Sequence, residues 1–128
     1  MQIELKYPLA RACLGQAIER LNGERRASLW VFVELINSQS QSYKLKRTDF
    51  TLSLRDQNEK LLWVDQAHQL NGKWELKLKS KSATSIKLIF ELPEFIVQLD
   101  ATLFSYQLEF LDYRLLLELQ LVHETISI

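Results

Sequence analysis

The fold of this chain is read most directly from LWVFVELIN, residues Leu29 to Asn37. Both alternating faces of this segment are apolar, and β-branched and aromatic residues dominate it, as in strands that lie inside a sheet. We therefore expect a central strand covered on both sides, with Trp30 and Phe32 in the core. Upstream, Ile3 to Tyr7 alternates apolar with polar residues, which predicts a half-buried strand.

Alternation also dominates the chain downstream of Asn37. The apolar positions are odd-numbered in Tyr43 to Lys46 and even-numbered in Phe50 to Arg55, which predicts a bulge or a break at Arg47 to Asp49. Farther along the chain, the apolar positions change again, from even-numbered to odd-numbered, which predicts a bulge or corner at Leu111-Asp112. Polar and glycine-containing segments predict turns at Asp56 to Glu59 and at Asn71-Gly72.

One segment near the N-terminus follows a different period. Its apolar residues recur at three- and four-residue spacing, which predicts an amphipathic helix that begins near Pro8 and ends at Asn22-Gly23. The residues of this stripe are Ala10, Cys13, Leu14, Ala17, Ile18 and Leu21.

These elements predict one β-rich domain over residues 1–128. About eight strands with one N-terminal amphipathic helix indicate a mainly β fold, either an antiparallel β-sandwich or a sandwich-like barrel. The segment from residue 104 to 124 fits a strand, but its leucine-rich stripe also fits a helix, so both remain open.

A family resemblance is carried by two segments. VFVELINSQSQSYKLKRTDFTLSLRDQNEKLLW, from Val31 to Trp63, has a hydrophobic strand ending in Asn and a DF.L strand followed by a polar hairpin. SIKLIFELP, from Ser85 to Pro93, is a later strand that ends at a proline. The pattern resembles the small bacterial immunoglobulin-like sandwich domains. That resemblance implies a binding or structural module without catalytic residues.

Composition and charge narrow the class of protein. The formal net charge is zero, with 15 of the 16 Lys and Arg and 9 acids before residue 88, and Arg114 and 7 acids from there on. A nucleic-acid binder usually carries a clear positive excess, so nucleic acid is disfavoured as a partner. Glu4 and Lys6 interrupt any signal-peptide core, no apolar run is long enough to span a membrane, and Cys13 is the single cysteine. We expect a soluble protein in the cytoplasm.

The sequence offers few residues that could form a catalytic or metal-binding site. Asp65 and His68 form a lone D-x-x-H pair, and His123, the second histidine, lies near the C-terminus. There is no nucleophile motif and no glycine-rich phosphate loop. We therefore expect no catalytic residues, no metal and no cofactor.

The remaining candidate is a row of lysines. In KWELKLKSKS the side chains of Lys73, Lys77, Lys79 and Lys81 would project from one strand face, about 6.6 Å apart for neighbouring positions. Three explanations fit this row: the lysines keep an edge strand solvated and resistant to aggregation, they bind an acidic protein partner, or they bind nucleic acid. Trp63, on the face opposite Leu62 and Val64, is either an interface residue or a core residue.

Two classes of function follow. The first is a non-catalytic protein-interaction or assembly module that uses charged strand faces to bind another protein or a copy of itself. The alternative is a small β-barrel that binds an apolar ligand, lipid-like or chromophore-like.

Overall fold

The structure is a computed structural model that describes residues 3–5, 11–19, 25–93, 103–117 and 119–121. Regular structure in these ranges is β-strand, apart from the 3-10 turn at Arg47–Asp49 and a residue of 3-10 conformation at Leu103. The prediction of a mainly β fold is therefore confirmed. Within the same ranges, no helix is long and apolar enough to cross a membrane.

The strands are numbered in chain order. They are β1 (Ile3–Leu5), β2 (Arg11–Glu19), β3 (Arg25–Asn37), β4 (Tyr43–Lys46), β5 (Phe50–Arg55), β6 (Leu61–Gln66), β7 (Gln69–Leu70), β8 (Glu75–Leu78), β9 (Ser82–Leu92), β10 (Ser105–Phe110), β11 (Tyr113–Leu117) and β12 (Leu119–Leu121).

The strands form three sheets. A large sheet has the order β12-β2-β3-β9-β7, with β1 paired to the C-terminal end of β3. A small sheet has the order β11-β10-β5-β6, and β4 with β8 forms a two-stranded sheet. Pairing is antiparallel except between β12 and β2, which are parallel. Each sheet ends in edge strands, so none closes on itself in the described ranges and the barrel alternative finds no support there.

All three sheets contribute to one hydrophobic core. Leu45 and Leu78 attach the two-stranded sheet to it, and the rings of Phe50 and Phe110 stack with their centroids 4.6 Å apart. The large and small sheets thus bury their apolar faces in a shared core, as layered β folds do. The large sheet contributes Ile3, Leu29, Val31, Val33, Leu35, Leu70, Ile86, Leu88, Phe90 and Leu92, and the small sheet Phe50, Leu52, Leu54, Tyr106, Leu108, Phe110 and Leu117.

The predicted N-terminal helix is wrong, because Arg11–Glu19 is strand β2, antiparallel to β3. The register shifts between Leu14 and Ala17, which lie opposite Leu29 and Ala27. One extra residue of β2 therefore separates two positions that belong to the same face of the sheet. A bulge of this kind produces an apolar spacing of three, which imitates the helical period. Pairing with the free side of β3 satisfies backbone groups of both strands, and this outweighs a weak helix propensity.

The expectation that β3 is covered on both sides is also wrong for the described ranges. Leu29, Val31 and the other odd-numbered residues of its second half are buried, whereas the even-numbered residues face away from the core. Trp30 is 39% exposed and Phe32 is half-buried, and neither belongs to the core cluster. The small sheet covers only one face of the large sheet, so the assignment of these two aromatic residues to the core fails.

The predicted turns are confirmed, and so are the predicted interruptions at Arg47 to Asp49 and at Leu111-Asp112. The 3-10 turn at Arg47–Asp49 separates β4 from β5, and a turn at Leu111-Asp112 connects β10 to β11. Asn71 and Gly72 both have positive φ, 49° and 81°, as a tight hairpin turn requires. For the segment 104–124, the described residues form β10, β11 and β12, so the strand alternative is correct there.

Candidate functional site

The two-stranded sheet separates apolar from charged residues. Tyr43 lies opposite Leu78 and Leu45 opposite Leu76, and these residues face the core. The alternating positions carry Lys44, Lys46, Glu75 and Lys77, all exposed. We call these four residues the basic face. Three lysines and one glutamate give it a formal charge of 3 − 1 = +2.

The basic face has an internal electrostatic conflict. Lys44 lies directly opposite Lys77, and like charges in that position repel each other. Lys44 relieves part of this repulsion through an ion pair with Glu75, at 3.2 Å between Nζ and Oε2. Both partners are exposed, so the pair is worth little in stability. The face therefore keeps an excess of positive charge that an acidic surface would neutralise.

A shallow groove of about 470 Å³ lies at the basic face. Ser42, Lys44, Glu75, Leu76 and Lys77 line it. Burial raises the pKa of the Tyr43 phenol above its usual value, and the Asp49 carboxylate raises it further.

An exposed tryptophan lies at one end of the basic face. Trp74 is 69% exposed, and the Arg47 guanidinium carbon lies 4.8 Å from its ring centroid, a cation–π contact. The Arg47 backbone N–H donates to the Trp74 carbonyl at 3.2 Å, and Arg47 Nη1 donates to the Ala67 carbonyl at 3.3 Å. Two contacts therefore join Arg47 to Trp74, and the hydrogen bond to Ala67 holds the guanidinium in place, which positions the indole ring while leaving most of it accessible.

In KWELKLKSKS, Trp74 continues the even-numbered apolar positions of Leu76 and Leu78, so the alternation predicts a place on the apolar face and does not reveal the exposure of its ring. Lys73 and Leu70 exchange two backbone hydrogen bonds of 2.8 Å around the Asn71-Gly72 turn, and β8 begins only at Glu75. Trp74 therefore lies between the turn and the strand, where alternation does not apply. The turn signal at Asn71-Gly72 could have indicated this.

The four predicted lysines do not form one strand row. Lys77 lies on β8, Lys73 in the turn before it, and Lys79 and Lys81 in the connection to β9. Lys81 has φ of 52° and its Nζ donates to the Ser38 carbonyl at 2.7 Å. The Lys79 carbonyl accepts hydrogen bonds from Asn37 and Ser82. A strand of four residues is too short to carry the predicted row.

Trp63 lies elsewhere. It is on β6, opposite Leu54, half-buried and packed against the core. The structure therefore places it in the small sheet, apart from the lysines of the two-stranded sheet.

The residues singled out for metal chemistry remain scattered. His68 Nε2 lies 3.8 Å from Glu91 Oε1, and Asp65 Oδ1 accepts the backbone N–H of Gln66. No group of three or more His, Cys, Asp or Glu within the described ranges is arranged to hold a metal ion. His123 lies outside these ranges, and Cys13 lies on β2.

No protein-family model, no curated protein and no solved structure matches this chain. The resemblance to small bacterial immunoglobulin-like domains therefore stays a prediction.

Proposed function

We propose that this chain is a non-catalytic protein-interaction module whose basic face binds an acidic surface of a partner protein. The observation that carries the proposal is Trp74, exposed for 69% of its surface beside three lysines and held by Arg47. Tryptophan and arginine are the residues most enriched among those that dominate binding energy at interfaces. Trp74 would bury apolar area, and the lysines would align the partner.

The charges of the face support a protein rather than a nucleic-acid partner. Glu75 lies next to Lys77 on the same face of β8 and is paired with Lys44 in the groove lining, where its carboxylate would repel a phosphate backbone. A protein surface can place a basic or polar group against Glu75 and carboxylates against the lysines. The formal net charge of zero also disfavours nucleic acid.

Of the residues predicted from sequence, Lys77 belongs to this surface and Lys73 adjoins Trp74 in the chain. Lys79 and Lys81 take part in the β8–β9 connection through their hydrogen bonds, and we assign them no contact with the partner. Lys44 and Lys46 join the site from β4.

The proposal is tested with a fluorescent peptide of alternating glutamate and leucine, titrated with the full chain at low and at high ionic strength. We expect binding that weakens as salt rises, because the charges are exposed. Trp74→Ala should weaken binding by about tenfold or more, the effect of losing one interface residue of the dominant kind. Lys77→Glu should weaken it as well.

Lys60→Glu is the matched control, because Lys60 is an exposed lysine next to β6, outside the basic face. It changes the net charge by the same amount as Lys77→Glu and should leave binding nearly unchanged. Equal losses in both variants would mean that only overall charge matters, which contradicts the proposal. Tighter binding of a single-stranded oligonucleotide of equal charge would favour nucleic acid instead.

A further inference from the structure

A second surface lies on the large sheet, on the face turned away from the core. β3 and β9 pair along the whole length of β9, and one face of the pair is buried. The other face carries Trp30, Phe32 and Ile36 from β3 and Ile89 from β9. We call these four residues the aromatic face. None of them belongs to the core cluster.

The composition of the aromatic face is unusual for a solvated sheet surface. Trp30 lies on the central strand of the sheet and remains 39% exposed, and Phe32, Ile36 and Ile89 are half-buried. A strand that is apolar on both sides usually lies in a sheet covered on both sides. An accessible tryptophan among apolar neighbours is typical of the central part of an interface.

The charges that β9 contributes to this face follow a regular order, and Glu34 of β3 lies farther along the face, opposite Ser85. Lys87, Ile89 and Glu91 occupy successive outward positions of β9, about 6.7 Å apart. They lie opposite Phe32, Trp30 and Ser28 of β3. Lys87 Nζ is 4.9 Å from the Trp30 ring centroid, and Glu91 Oε1 is 3.8 Å from His68 Nε2. A cation and an anion thus flank an apolar row formed by Trp30 and Ile89.

We propose that the aromatic face binds a second copy of this chain, face to face, about a twofold axis through the Trp30–Ile89 row. This axis lies in the interface and runs across the strands, so β9 of one copy is antiparallel to β9 of the other. Ile89 and Trp30 meet their own counterparts at the centre. Lys87 of each copy then faces Glu91 of the other, and both charge pairs form at once.

The order of charges selects this partner over others. The order cation, apolar row, anion along β9 matches the same order on a second copy only when the two β9 strands run in opposite directions. A twofold axis imposes this relation. A uniformly acidic or basic surface would meet one favourable and one unfavourable charge. Two sheets packed at about 10 Å, with strand directions within about 30°, place facing side chains in contact.

This dimer uses a different surface from the basic face and does not depend on it. The aromatic face belongs to the large sheet, whereas Lys44, Lys77 and Trp74 belong to the two-stranded sheet and the turn that precedes it. Loss of the acidic peptide's binding would therefore leave dimerisation intact, and loss of dimerisation would leave the peptide's binding intact.

The test is a charge exchange, measured by sedimentation equilibrium of the full chain. Lys87→Glu and Glu91→Lys should each weaken dimerisation by about tenfold, because each variant converts two attractive pairs per dimer into two repulsive ones. When the two variants are mixed in equal amounts, they should form a mixed dimer with wild-type affinity. In the mixed dimer every introduced charge faces an opposite charge.

Leu116→Glu is the control on another exposed apolar residue, because Leu116 is 72% exposed on β11 of the small sheet. This variant should dimerise like the wild type, whereas Trp30→Glu should be monomeric with an unchanged far-ultraviolet circular dichroism spectrum. A wild-type chain that stays monomeric at its highest soluble concentration would overturn the proposal. So would a dimer that both charge variants leave unchanged, or a mixture that fails to restore association.

Discussion

At the scale of single residues, Asn37 connects three segments of the chain. Its Nδ2 donates to the carbonyls of Gln41, Leu78 and Lys79 at 3.1 to 3.2 Å, and its Oδ1 accepts the backbone N–H of Gln39 at 3.0 Å. The residue is 1% exposed. One amide side chain therefore ends β3, orders the polar loop after it, and holds the end of β8 beside that loop.

Asn37→Ala should lower the free energy of unfolding by about 2 to 3 kcal/mol, because it removes several hydrogen bonds of a buried amide, one of them to the buried Leu78 carbonyl. Asn58→Ala is the control, since Asn58 lies exposed in the turn between β5 and β6. We expect this control to change stability by less than about 0.5 kcal/mol. Urea denaturation measures both values, and an Asn37→Ala loss no larger than that of the control would contradict the assigned role.

At the scale of elements, β2 shows where local sequence patterns fail. Leu14 and Ala17 are three residues apart, as on one face of a helix, yet their partners Leu29 and Ala27 are two apart on β3. The bulge that reconciles these spacings depends on pairing with a distant strand. Alternation was decisive in β9 and β10, where the buried positions follow the period of two. In β5 the buried apolar residues follow the same period, although Ser53 between them is buried as well.

Carbon chemical shifts distinguish the two conformations of this segment. For Arg11–Glu19 we expect the Cα shifts to lie below and the Cβ shifts above their random-coil values, because the segment is extended and paired with β3. β9 serves as the internal reference for a strand. A continuous run of Cα shifts above random coil in Arg11–Glu19 would show a helix and contradict the large sheet as described.

At the scale of the whole molecule, the sequence indicated the class of fold but not the surfaces. Alternation identified most strands, and turn residues such as Asn71 and Gly72 identified where they end. The basic face could not be read in the same way, because Lys44 and Lys77 come from strands far apart in the chain. Lys77, Lys79 and Lys81 are close in sequence but do not lie on one strand, because β8 ends at Leu78 and the chain turns there.

The same reasoning explains the tryptophans. Periodicity assigns a residue to one side of a strand, but it does not tell whether another layer covers that side. Trp30 is on a regular strand and remains accessible because the small sheet packs on the opposite face. Trp74 is accessible because it precedes β8, and Trp63 is half-buried against the core. Tertiary packing therefore decides the exposure of Trp30 and Trp63, whereas the turn before β8 decides that of Trp74.

The central claim is that Trp74 and the basic face bind acidic protein surface, and nitrogen–proton correlation spectra test it most directly. The chain contains three tryptophans, so their indole N–H signals report separately on Trp30, Trp63 and Trp74. On titration with the glutamate–leucine peptide, we expect the Trp74 indole and the amides of β4 and β8 to shift, and the Trp63 indole to stay unchanged. An unshifted Trp74 indole at saturating peptide, or shifts confined to Trp30 or Trp63, would contradict the claim.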